Sequence, residues 1–163
     1  MNAALNHVSV LALDIDESAA FYTDVLGMER VPTPNFEVPV QWLQTESGQL
    51  HLFERDMEPV GSYHFGVTVD DFEEVYRRAK AEGFLANWDD GTDASLYGLP
   101  DGAVQLYLND PTGNLVEVDY PNVDDLADDI VEDVLDREEV QPQTGEAKNA
   151  ALDLAPMAGD TAE

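Results

Sequence analysis

Four side chains of this 163-residue chain have the chemistry of a nitrogen and oxygen metal site: His7, His51, His64 and Glu117. The chain has three histidines and no cysteine, so thiolate ligands, disulfides and cysteine nucleophiles are excluded together. Neutral imidazole and carboxylate suit one divalent ion, Zn, Ni, Co, Mn or Fe(II), and no thiolate narrows the choice. Each residue also has a plainer reading. A histidine on a strand is commonly a hydrogen-bonded structural or surface residue, which leaves His51 open between two roles. Glu117 can equally be one more solvated carboxylate among 35 acidic residues. What sets the four apart is where they fall in a repeat.

Residues 7–27, HVSVLALDIDESAAFYTDVLG, and residues 64–83, HFGVTVDDFEEVYRRAKAEG, follow one plan. Each starts on His, alternates along a strand to an Asp, turns helical and closes on Gly. GQLHLFE at 48–54 is echoed by GNLVEVD at 113–119. A period of roughly 55–65 residues in a chain this short indicates tandem duplication rather than a solenoid. The patterning predicts strands near 6–13, 39–44, 49–54, 62–69, 84–87, 94–98, 103–109 and 114–120, and helices over 17–26 and 71–82. Asp16 or Ser18 is expected to cap the first helix and Asp70 the second, with Gly27 and Gly83 ending them.

Alternation then assigns faces. Val8 and Val10 in one strand, and Phe65, Val67 and Val69 in another, lie under the helices. The histidines take the opposite face, where Gly66 and Thr68 leave room for a ligand. On the last strand Val116 and Val118 are on the apolar side, so Glu117 shares the histidine side with Leu115 and Asp119. Gln105 and Tyr107 alternate against Val104, Leu106 and Leu108 and become candidate substrate-lining residues on that same side. Trp42, Trp88 and Tyr97 are further candidates to pack against a substrate, although aromatics at strand spacing usually pack, which favours Trp42 in the core and Trp88 as a loop anchor.

With 35 Asp and Glu against 7 Lys and Arg the formal charge is -28, while the hydrophobic fraction of 44% is that of a globular chain. Nucleic acid and anionic membranes both need a basic footprint, so neither is an expected partner. There is no apolar run of about 18 residues and no basic leader, so a cytoplasmic protein is expected. Both residues 1–120 and residues 121–163 are strongly acidic, which suits a high-salt cytoplasm where counterions screen the repulsion. After Pro121, apolar residues from Val123 to Leu135 recur at helical spacing behind Asn122 as cap, with Asp and Glu on the other face. The expected organisation is a domain over 1–120 with modules at 5–57 and 61–120, an amphipathic acidic helix over 121–139 and a flexible acidic tail over 140–163.

The ordered set HVSV (7–10), DIDESAAFYTDVLGM (14–28), QLHLFE (49–54), HFGVTVDD (64–71) and DPTGNLVEV (110–118) resembles the vicinal oxygen chelate superfamily. That family groups glyoxalases, bleomycin-resistance proteins and extradiol dioxygenases, and the second segment is similar to its FY…LGM signature. The resemblance covers residues 5–120 and implies an α+β fold, two tandem βαβββ modules whose mixed sheets curl into a cup around a metal. The acidic helix and tail fall outside it. It implies metal ligands from the first, fourth, fifth and eighth strands: His7, His51, His64 and Glu117. It also implies an enzyme whose metal chelates two substrate oxygens and stabilises an enediolate or oxyanion, with Glu117 doubling as proton shuttle. Two-module members commonly dimerise, so a homodimer is expected, with the stripe of the last helix as a candidate interface.

Within the family, glyoxalase and epimerase types resemble the chain in a four-ligand set but usually carry Glu or Gln where it has His51. Extradiol dioxygenases resemble it in two His and one carboxylate, and use a further His as acid and base, a role left to His51. Fosfomycin-modifying members need basic residues, for which Arg30 and Arg55 are the candidates in the body outside the second helix. Bleomycin-binding members lack the ligands this chain carries. The expected function is a divalent-metal-dependent glyoxalase-like lyase or isomerase acting on a small oxygenated substrate. The alternatives are an extradiol-type ring-cleaving dioxygenase and a small-molecule-binding module without catalysis.

Overall fold

A computed structural model describes residues 5–87, 91–152 and 154, which fall into two units. The first takes the described residues up to Tyr63 together with Asp110–Asn114; the second takes His64–Asn109 and the described residues from Leu115 onward. Trp88, Asp153 and residues 155–163 of the expected tail lie outside the described residues. Among the described residues no helix is long and apolar enough to cross a membrane.

In the first unit, β1 (His7–Ala12), β2 (Glu29–Val31), β3 (Val40–Gln44) and β4 (Gln49–Glu54) form a mixed sheet in the order β1-β4-β3-β2. β1 and β4 are parallel and the other pairs antiparallel. A parallel pair requires a crossover, supplied here by α1 (Ile15–Asp24) followed by β2 and β3. Val10, Ala12, Leu43, Leu50 and Leu52 are buried with Ala19, Phe21 and Tyr22 of α1. Each fully buried leucine contributes about 1.5–3 kcal/mol. The helix begins earlier than its cap residues suggested: Asp14, not Asp16 or Ser18, accepts from the Asp16 and Glu17 amides. Ser18 is instead buried, with its hydroxyl 3.2 Å from that of Thr112. β2, only three residues long, carried too little pattern to be expected.

The turn Asp110–Asn114 is pinned into this unit by a buried carboxylate. Asp110 accepts from the Thr112 and Asn114 amides and from the Tyr22 hydroxyl at 2.8 Å, while Asn114 donates to the Leu11 carbonyl. Burial, followed by the adjacent Asp110 charge, pushes the Tyr22 phenol well above its ordinary range, so it remains a donor.

The second unit holds β5 (His64–Thr68), β6 (Leu96–Gly98), β7 (Val104–Asn109), β8 (Leu115–Tyr120) and β9 (Val134–Asp136), in the order β5-β8-β7-β6-β9. Its helix α2 (Phe72–Glu82) packs on β8 and buries Phe72, Val75, Tyr76 and Ala79. Asp71, one residue beyond the expected Asp70, caps α2 by accepting from the Glu74 amide, and Gly83 closes it at φ 80°. The strand expected at 84–87 is reduced to one bridge, Leu85 to Leu108.

The single helix expected after Pro121 is not formed. Asn122 caps a 3-10 turn, Val123–Asp125; α3 (Asp128–Val131) and α4 (Arg137–Val140) are single turns on either side of β9. One continuous helix would stack Asp124 on Asp128, Asp125 on Asp129, Asp128 on Glu132, Asp129 on Asp133 and Glu132 on Asp136. Each such like-charge pair is destabilising by about 0.2–0.5 kcal/mol. The broken path gives two of these carboxylates cations instead. Arg77 holds Asp129 with contacts of 2.6 and 3.1 Å, and Lys80 lies 2.7 Å from Asp133, which also accepts from Tyr76. β9 meanwhile satisfies the otherwise open edge of β6.

Candidate functional site

The strand registers explain why two pairs of candidate ligands belong together. In β1 and β4, His7 is opposite Gln49 and His51 opposite Ser9. In β5 and β8, His64 is opposite Leu115 and Glu117 opposite Gly66. Each unit therefore sets a pair on the same diagonal of the same parallel strand pair: His7 with His51, and His64 with Glu117. The next strand adds an aromatic in each, Trp42 opposite His51 and Tyr107 opposite Glu117.

The first pair is a stack of rings. The His7 and His51 ring centres are 4.3 Å apart and the Trp42 and His51 centres 4.4 Å, with planes within 18° and 9° of parallel. Trp42 is thus half-buried against a candidate ligand rather than in the core. His51 Nε2 lies 2.9 Å from the Gln49 side-chain oxygen. Desolvation first, and the neighbouring His7 second, lower the His51 pKa and favour the neutral imidazole that a metal or an acid–base role requires.

In the second pair the carboxylate is buried and the imidazole exposed. Glu117 is 6% exposed, and its Oε2 lies 3.5 Å from His64 Nε2. Tyr107, 3% exposed, donates its hydroxyl to Glu117. Burial, then that acceptor, pushes the Tyr107 phenol far up, so it stays protonated. Asp119, two residues on and on the same face, is buried with it; Gln105, half-buried, is opposite Asp119. Desolvation and the adjacent Glu117 push the Asp119 carboxyl up to about 8, and the two side chains share a hydrogen bond. Gly66 makes room for both acids, because a Cβ there would come within 3.0 Å of Asp119 Oδ2 and 3.6 Å of Glu117 Oε1.

Among the described residues, no group of three or more His, Asp or Glu converges as a complete metal-ligating set. The observed units are the two pairs. Their donor chemistry nevertheless fits a divalent cation. Asp119 Oδ1 is a buried oxygen without a hydrogen-bond partner, beside a second buried carboxylate and an imidazole. A cation there would give that oxygen a partner and offset the paired carboxylates. In the first pair, His51 is held towards its neutral, ligating form.

Three residues have roles in the structure that the sequence does not assign them. Asp119 has the same strand parity as Glu117, a usable signal, but its burial is a tertiary fact. The Trp42 stack depends on β3 lying beside β4. Arg137, whose Nη2 is 3.3 Å from the Tyr107 hydroxyl, sits in the segment whose spacing predicts an amphipathic acidic helix.

A family model described as the Glyoxalase/Bleomycin resistance protein/Dioxygenase superfamily matches residues 4–118. The solved lactoylglutathione lyase from Agrobacterium tumefaciens is 26% identical, over 73% of this chain and 94% of that one, with a TM-score of 0.55. Oxidase ChaP-H2 is 26% identical, over 75% of this chain and 97% of that one, at 0.61. FosX from Listeria monocytogenes, a fosfomycin resistance protein solved with Mn(II), shares the fold at 14% identity, 76% and 96% coverage and a TM-score of 0.61.

Proposed function

This chain belongs to the glyoxalase, bleomycin-resistance and dioxygenase superfamily, and on that footing we propose that it is a divalent-metal-dependent lyase or isomerase of glyoxalase type acting on a small oxygenated substrate. The observation that carries the reading is the His64–Glu117 pair on the same diagonal of its sheet as His7–His51. In this proposal His7, His51, His64 and Glu117 would hold the metal, which would supply Lewis acidity toward two substrate oxygens. The chain's own groups do the rest. Glu117 is the proton-transfer group, its oxygen oriented by the Tyr107 hydroxyl. Burial of Glu117, Asp119 and Tyr107 keeps water from the proton being moved. The Trp42 and His51 rings offer a flat wall to a planar substrate. Elemental analysis of protein purified without a His-tag tests this: stoichiometric Zn, Ni, Co, Mn or Fe supports it. No uptake, even after incubation with each ion, ends it.

One observation favours a second reading. His51 is held towards its neutral form beside Trp42, the condition for the acid–base histidine of an extradiol-type dioxygenase, and an oxidase stands among the similar structures. Oxygen uptake by the Fe(II)-loaded protein with catechol would select this reading, and its absence would leave the isomerase.

The same proposal includes a homodimer and a cytoplasm rich in salt. Among the described residues, six of the seven exposed large apolar side chains, Leu5, Leu13, Phe36, Met57, Val60 and Tyr63, belong to the first unit, which supports an interface there. Light scattering that finds a monomer would end the dimer. The charge of -28 supports the environment, and a melting midpoint that does not rise from low to molar KCl would end that.

A further inference from the structure

Arg137 lies outside the residues of the family match, yet the fold brings it to the face that carries Glu117. Leu135 is opposite Tyr97 across β9 and β6, Tyr97 is opposite Gln105 across β6 and β7, and Tyr107 is opposite Glu117 across β7 and β8. Paired residues, and residues two apart on a strand, share a face. Tyr97, Tyr107, Glu117 and Leu135 therefore project from one face of the five-stranded sheet. Leu135 and Val140 pack on Ala86, Tyr97 and Tyr107, so the C-terminal segment is laid across that face.

Between those two apolar anchors, Arg137 has its guanidinium 4.0 Å from the centre of the Tyr97 ring and 3.3 Å from the Tyr107 hydroxyl. That hydroxyl donates to Glu117, so the guanidinium stands about two hydrogen-bond lengths from the proposed ligand carboxylate. Arg137, half-buried, also lines a cavity of about 290 Å³ in which it and Lys148 are the cations, beside the carboxylates of Asp136 and Glu138. In a chain of charge -28 an anionic molecule is repelled over most of the surface, so a local cation decides where an acid group can settle. A guanidinium offers a carboxylate a planar two-pronged fork, and the Tyr97 ring beneath it fixes the plane.

We propose that Arg137 is a specificity-determining residue that holds the acid group of the substrate while the substrate's paired oxygens sit at the Glu117 end. The substrate class is then an oxygenated carboxylic acid, and neutral diols or diones are disfavoured. The chelating end of this inference rests on the proposed metal-dependent function; the acid end rests on Arg137 alone.

The test is calorimetric binding of two probes, catechol and 3,4-dihydroxybenzoate, which share vicinal hydroxyls and differ in one carboxylate. Each is titrated into metal-free and Co(II)-incubated protein at moderate ionic strength, for wild type, Arg137→Gln and Arg137→Lys. Wild type is expected to prefer the acid by about tenfold, the worth of one charge-assisted hydrogen bond. Arg137→Gln loses that preference and still binds catechol in the Co(II) form. Arg137→Lys, with charge but no fork, retains part of it and serves if the Gln variant does not fold. Cobalt uptake without any preference in wild type, or a preference that survives Arg137→Gln, overturns the anchor and leaves the metal reading standing. If no cobalt is taken up, the metal reading fails by itself. The acid must then still bind metal-free wild type detectably and Arg137→Gln more weakly, or the anchor falls too.

Discussion

The two units place a pair of polar side chains on the same strand diagonal and give them opposite surroundings. His7 and His51 form an open stack with Trp42, partly in contact with solvent and held towards neutrality at His51. Glu117 belongs to a buried network with Asp119 and Tyr107, which His64 meets from an exposed strand position and on whose Tyr107 the C-terminal segment packs, bringing Arg137. A duplicated backbone determines where a side chain projects, because strand pairing sets the diagonal. It does not determine protonation, which depends on what later packs against the sheet. The second unit concentrates charge in a dry setting, and the first supplies neutral nitrogen and an aromatic wall.

If that asymmetry is real, removing a ligand should not cost the same on the two sides. Glu117→Ala and His64→Ala are expected to weaken metal binding by more than about a hundredfold, beyond what outer partners of a ligand typically supply. His7→Ala and His51→Ala are expected to cost about tenfold each, since they leave the His64–Glu117 pair intact. Equal losses, measured by competition with a chromogenic chelator, would erase the distinction.

A smaller effect separates the buried acids of the two units. Tyr22→Phe deprives Asp110 of a donor and should cost about 1–3 kcal/mol in urea unfolding, loosening the Asp110–Asn114 turn. Asp119 works in the opposite direction with pH. Its folded pKa lies above the unfolded carboxylate value, so its contribution is full below about pH 4 and is lost as pH rises toward about 8. Asp119→Asn should flatten that decline and raise the stability of the metal-free protein at pH 8 by on the order of 1 kcal/mol. A variant that declines as the wild type does would mean the pair does not share a proton. The smallest effect is on the first unit. Trp42→Ala uncovers His51 and should raise its NMR titration midpoint back toward about 6.5. An unchanged midpoint would show that the stack does not set it.

Alternation and capping residues make most strands and both long helices legible in the sequence, together with the shared face of His64 and Glu117. The errors have physical causes. Asp14 and Asp71, rather than the expected residues, are the caps because several acids cluster at the start of each helix and only one reaches the free amides. The apolar spacing after Pro121 fitted a helix, yet its acids found Arg77 and Lys80 only along a broken path, and an open sheet edge drew in β9. Strand spacing alone favours the core for Trp42; the register of β3 puts it on His51.

What the sequence determined by itself is therefore the local part: the duplicated strand and helix plan, the face each histidine takes, the absence of thiol chemistry and the acidic surface. These follow from periodicity and composition, which are properties of neighbours along the chain. Only the tertiary structure decided that Asp119 is buried beside Glu117, that Gly66 makes room for both, and that Arg137 reaches back to Tyr107. Burial and charge pairing arise between residues distant in sequence, and a side chain's chemistry is set by the neighbours that folding brings to it.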